Sequence, residues 1–117
     1  MRTRTTQFAY RVVHFTRPLL QSVDTRDIAR QLRRAGTAVG ANYRAVCRAR
    51  SRREFISKIG VVIEEVDEAD FWLGLIRDCE LAPASPELSW LIDEAGQLVR
   101  ILASARRTAM ERLVMGD

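Results

Sequence analysis

Residues 51–81 read SRREFISKIGVVIEEVDEADFWLGLIRDCEL. Within this stretch Phe55, Ile59, Val62, Val66, Ala69, Leu73 and Ile76 recur at alternating spacings of four and three. A strand would need a period of two; this period is that of an α-helix with one apolar stripe. Ser51 followed by Glu54 reads as a capping box, in which each side chain satisfies an orphan amide of the first turn. Leu81-Ala82-Pro83 marks the end. The stretch predicts a helix over 52–80, on the order of 40 Å long at 1.5 Å per residue.

The flanking sequence repeats the pattern three times. Phe8, Val12, Phe15 and Leu19 form one stripe, and Pro18 kinks or ends that segment. Ile28, Leu32, Ala35, Val39, Tyr43 and Val46 form the next, with Asp24 or Thr25 as N-cap. Ser85-Pro86-Glu87 supplies an N-cap, a proline at the first helical position and an acid in the first turn. Behind it run Leu88, Leu91, Ala95, Leu98, Leu102, Ala105 and Ala109. The expected helices are 4–21, 25–47, 52–80 and 86–114. No segment reads as a strand. The short connections make sequential helices antiparallel neighbours. The predicted fold is all-α: a single domain over 1–117, built as an antiparallel up-down-up-down four-helix bundle.

With 117 residues, nearly half of them hydrophobic, the chain can bury a core without a metal or disulfide. There is no apolar run long enough for a transmembrane helix and no secretory h-region after the basic N-terminus, so a cytoplasmic location is expected. Cys47 and Cys79 are then free thiols, placed at opposite ends of the third helix.

Charge is divided unevenly. Residues 1–58 hold 14 Lys and Arg against 3 acids, and residues 59–117 hold 5 against 12. Lys58 is the sole lysine. Such halves either pair with each other or meet a polyanion.

Five features bear on function. The carboxylates Glu64, Glu65, Asp67, Glu68 and Asp70 suggest a di-iron bundle, but that site needs Glu-x-x-His motifs, and His14 is the only histidine. No metal or other cofactor is expected. Pairing the second and third helices places Arg33 and Arg34 opposite Glu64 and Glu65, and Arg30 opposite Glu68, so structural ion pairs are expected. No catalytic residue is assigned: His14 lacks a partner, and no nucleophile-elbow, Walker A or zinc-spaced motif occurs. Asn42 lies beside the second stripe, where a half-buried amide fixes register. The neighbouring Gly36 and Gly40 suit close approach of another backbone, in this chain or a second.

Arg44, Arg48, Arg50, Arg52 and Arg53 crowd the hairpin between the second and third helices. This is the candidate nucleic-acid contact, since a helix N-terminus also favours anions. Aromatic residues for base stacking are sparse: Tyr43 and Phe55 are near, and both are expected to face the core. The other reading is a solvated turn or salt bridges between subunits. Finally, Phe71, Trp72 and Leu75 exceed what one bundle can cover, and they point to self-association.

Gln31-Leu-Arg-Arg-Ala35, Asn42-Tyr43-Arg44, Ala49-Arg-Ser51-Arg-Arg-Glu-Phe55, Lys58-Ile-Gly60, Glu64-Glu65 with Glu68, and Phe71-Trp72-Leu73 form an ordered series. From about residue 25 to 80 it resembles the four-helix bundle proteins associated with 23S rRNA intervening sequences. Ala45-Val46 departs from it, since many members carry a glutamate there. The resemblance implies a homopentamer shaped as a tapered barrel. It also implies kinship with a basic barrel that accompanies a reverse transcriptase and nucleic acid. The expected partners are other copies of the chain and RNA or DNA, with neither a membrane nor a small-molecule substrate.

Overall fold

The computed structural model describes residues 1–116. Four α-helices and one short 3-10 turn occur in the order α1 (Arg2–Thr16), the turn Pro18–Gln21, α2 (Arg26–Cys47), α3 (Arg52–Asp78) and α4 (Pro86–Val114). There is no strand among the described residues. The molecule is a rod of 52 × 20 × 20 Å. Among the described residues no helix is long and apolar enough to cross a membrane.

The stripes meet in one core. Phe8 and Val12 of α1 pack with Leu32, Ala35, Val39 and Val46 of α2, and with Ile59, Val62, Val66, Ala69, Leu73 and Ile76 of α3. Leu88, Leu91, Ala95, Leu98 and Leu102 of α4 complete it. Phe15, Leu19, Ile28, Tyr43 and Phe55 sit at its margin, partly buried. Ala105 falls outside the core and is exposed, because a cleft between α3 and α4 opens at that level.

α2 packs against α1 and α3, α3 against α2 and α4, and α1 only lightly against α4. Contacts fix the directions. Gly36 lies against Val12 and Gly40 against Ala9 and Thr5, so α1 and α2 run oppositely. Arg106 reaches Gly60 and the Ile56 carbonyl, while Leu88 shares a cavity wall with Arg77 at the other end of the α3–α4 pair.

The helix ends follow local chemistry. α1 stops at Thr16, earlier than its apolar pattern suggests, and Pro18 opens the 3-10 turn. A proline has no amide to donate and crowds the preceding turn. Thr25 is the α2 N-cap residue, but its hydroxyl donates to the Leu19 carbonyl (2.6 Å) and so ties down the connection instead of capping. α3 ends in a Schellman motif: Leu81 N–H donates to Ile76 O and Glu80 N–H to Arg77 O. Glu80 takes the left-handed conformation there, with φ 55°. This closes the helix at Asp78, short of the expected end at residue 80. α4 begins as expected, with Ser85 Oγ accepting from Leu88 N–H at 3.1 Å.

Candidate nucleic-acid interface

The turn between α2 and α3 is short and runs from Arg48 to Ser51. Ser51 Oγ accepts from the Glu54 amide at 3.0 Å and starts α3. The reciprocal half of the expected capping box is absent: Glu54 turns to Lys58 instead (3.2 Å). That ammonium holds the Glu54 carboxyl below its ordinary range. The one acid at the start of α3 is therefore engaged by the one lysine.

Arg44, Arg48, Arg50 and Arg53 are exposed and Arg52 half-buried. None of the five forms an ion pair among the described residues. α4 runs back to the same end and adds Arg107 and Arg112, which are likewise exposed and without an ion pair among those residues. Arg106 is used differently: its Nε donates to Ile56 O (3.3 Å) and its side chain lies beside Gly60. Residues 44–58 and 100–116 together hold ten Lys and Arg and two acids, Glu54 and Glu111. One pole of the rod is thus strongly cationic. Guanidiniums gathered without internal counter-charges raise the local potential and attract anions.

The carboxylates of α3 occupy the middle and far half. Arg34 bridges Glu65 (3.6 Å) and Glu68, and Glu68 also accepts from Trp72 Nε1 at 3.2 Å. The other expected pairings do not form. Arg33 faces α1 and donates to Thr16 Oγ1 (3.1 Å) and Val13 O (3.0 Å), where it satisfies the C-terminal end of α1. Arg30 pairs with Asp27 on its own helix at 3.5 Å. Glu64 is exposed on the outer face and unpaired among the described residues. The reason is helical phase: successive residues point about 100° apart, so Arg33 and Arg34 cannot both face α3. Asp70 is partly buried, and that burial, with repulsion from Asp67, pushes its carboxyl upward. Among the described residues no three His, Cys, Asp or Glu side chains gather as a metal site requires.

Asn42 is half-buried, and its side chain makes no hydrogen bond among the described residues. His14, Cys47 and Cys79 are exposed. Of the three surplus apolar residues, Trp72 and Leu75 are half-buried. Phe71 remains 59% exposed, with its ring edge-on to Trp72 at 4.9 Å.

Two ion pairs between α1 and α4 stand outside the expectations from sequence. Arg4 donates twice to Glu94 (3.0 and 2.6 Å), and Arg11 donates to Glu87 (2.8 Å) while stacking over Trp90 at 3.7 Å. Glu94 is buried and sits between Leu91 and Ala95 on the α4 stripe. An acid inside an apolar stripe is the available signal, since it calls for a cationic partner.

One family model matches most of the chain. That model, described as 23S rRNA-intervening sequence protein, matches residues 1–104. The chain belongs to this family. Among solved structures it is similar to a crystal structure from Bacteroides thetaiotaomicron, described as a protein with unknown function from the S23 ribosomal protein family. The two are 26% identical with a TM-score of 0.82, over 90% of this chain and 96% of that one. No curated protein matches. The intervening-sequence family model thus covers α1 through most of α4, well beyond the two central helices that carry the resemblance in sequence. It stops at residue 104, before Arg106, Arg107 and Arg112 of the basic pole.

Proposed function

We propose that the chain is a non-enzymatic protein that acts as a homo-oligomer, with a pentamer favoured by the family resemblance, and that its basic pole holds the backbone of a nucleic acid. The observation that carries this reading is the group of arginines at 44, 48, 50, 52, 53, 107 and 112, which have no ion pair among the described residues. Phosphates supply the missing counter-charge. A contact of this kind positions a strand without reading its sequence.

The test is the salt dependence of binding to RNA and to duplex DNA, followed by fluorescence anisotropy. The wild type is expected to lose affinity steeply as salt rises. Changing Arg48, Arg50, Arg52 and Arg53 to Ala should weaken binding and flatten the log–log slope by about 0.7–0.9 for each phosphate that the protein no longer neutralises. No binding of either nucleic acid at low salt overturns the proposal.

A second reading rests on Phe71. Its exposed ring lies on α3 among Glu64, Asp67, Asp70 and Asp78, opposite in sign to the basic pole. In that reading the chain is a scaffold and its arginines pair with the carboxylates of neighbouring copies.

A further inference from the structure

Between the start of α3 and the end of α4 lies an open cavity of about 350 Å³, lined by Arg52, Phe55, Ala105, Thr108, Ala109 and Arg112. Its floor is apolar: Phe55, packed by one side on the core, and Ala109, which is 8% exposed. Phe55 therefore does more than face the core, because its remaining surface is cavity wall. Short side chains on α4, Ala105 and Thr108, keep the space open where larger ones would fill it. Arg52 from α3 and Arg112 from α4 both line it, and neither has an ion pair among the described residues.

The volume lies at the small end for ligand sites, which run from about 300 to 1,000 Å³. A flat apolar ring matches the floor and the Phe55 surface; an anionic group matches the two guanidiniums. A nucleotide carries both within one unit. In a duplex the base faces are stacked and hidden, so only an unpaired base can enter. Single-stranded nucleic acid is recognised elsewhere in this way, by bases stacked on aromatic or arginine planes beside a basic track.

We propose that this cavity takes one unstacked base of a single-stranded nucleic acid, with its flanking phosphates on Arg52 and Arg112 and the strand continuing over Arg48, Arg50 and Arg53. The inference rests on the backbone-binding reading of the basic pole and makes it specific for single strands.

The experiment uses the whole chain and labelled strands of about twelve nucleotides, within the span of one to several known single-strand sites. The probes are oligo-dT, oligo-U, an abasic strand of equal length and charge, and a duplex. Stacking one base is expected to make at least one of the base-bearing strands bind roughly 5- to 150-fold tighter than the abasic strand. Ala105→Leu, which fills the cavity from an exposed position and removes no charge, should abolish that preference and leave abasic binding and its salt slope unchanged. Phe55→Leu, which retains core packing, should weaken the preference as well, with circular dichroism as the check on fold. Equal binding of base-bearing and abasic strands overturns the cavity assignment while the backbone reading stands. A preference that survives Ala105→Leu in full also overturns it. If no strand binds at low salt, both fall together.

Discussion

Gly36 and Gly40 show what single residues decide in this molecule. A Cβ built on Gly36 would lie 2.7–2.9 Å from three side-chain atoms of Val12, and one on Gly40 would lie 3.2 Å from Ala9 Cβ and 3.3 Å from the Thr5 carbonyl. The two glycines thus set the α1–α2 separation. Gly36→Ala gains about 1 kcal/mol of helix propensity but overpacks a site where Val12 is stiff, at a cost of about 1–3 kcal/mol. The expected net result is a lower melting temperature, restored in part by Val12→Ala, and thermal unfolding of the two variants checks it. The pair is legible in the sequence as a close approach because a spacing of four puts both residues on one face. Which backbone approaches is not legible, since a periodic pattern says which side is crowded and not by what. The same gap explains Arg33. Its neighbour Arg34 faces α3 as the hairpin pairing requires, while Arg33, one residue earlier, turns to α1.

At the scale of elements, the interfaces are of two kinds. α1–α2, α2–α3 and α3–α4 are built from apolar stripes, and those stripes can be read in order from their spacing. The α1–α4 seam is lighter and is latched by Arg4–Glu94 and Arg11–Glu87. Side-chain exposure separates the two latches: Glu94 is 9% exposed and Arg4 36%, whereas Arg11 and Glu87 are each about a third exposed, 33% and 34%. Double-mutant cycles in urea should give a coupling of about 1–2 kcal/mol for Arg4–Glu94, below the value for a fully buried charged hydrogen bond because water reaches the arginine. Arg11–Glu87 should give a smaller coupling, because water reaches both partners. Equal couplings would contradict this ranking. The apolar members of α4 do not disclose this seam; only Glu94, the acid that interrupts their stripe, points to a cation on a facing helix. The helix limits at Thr16 and Asp78 escape periodicity for a related reason. An apolar pattern continues past a stop that is set by a proline in one case and by a left-handed Glu80 in the other.

For the whole molecule, charge is sorted along the rod and not by sequence half. Dividing the chain at residue 58 finds the arginines of the hairpin but assigns Arg106, Arg107 and Arg112 to the acidic half. Antiparallel return of α4 carries them back to the basic pole, a placement that only the fold supplies. The same return creates the cavity beside Phe55, whose lining residues lie about 50 positions apart in the chain and share no motif. Assembly belongs to this scale too. Phe71 is exposed enough that Phe71→Ser should leave the protomer's stability within about 0.5 kcal/mol, as surface substitutions usually do. If α3 is the contact between copies, the same change lowers the mass seen by light scattering. A wild type that is already monomeric would remove the oligomer reading.

The uneven strength of the four interfaces also orders events in time. Three of them join helices through short connections, and contacts between neighbours of this sort form quickly. The fourth must close over 76 residues between Arg11 and Glu87 and over 90 between Arg4 and Glu94. Its ion pairs are therefore expected to form late, after the transition state, with φ-values near zero for Arg4 and Arg11. Weakening them should then leave the folding rate nearly untouched and speed unfolding in stopped-flow measurements, which would make the arginines of α1 a brake on opening of the rod.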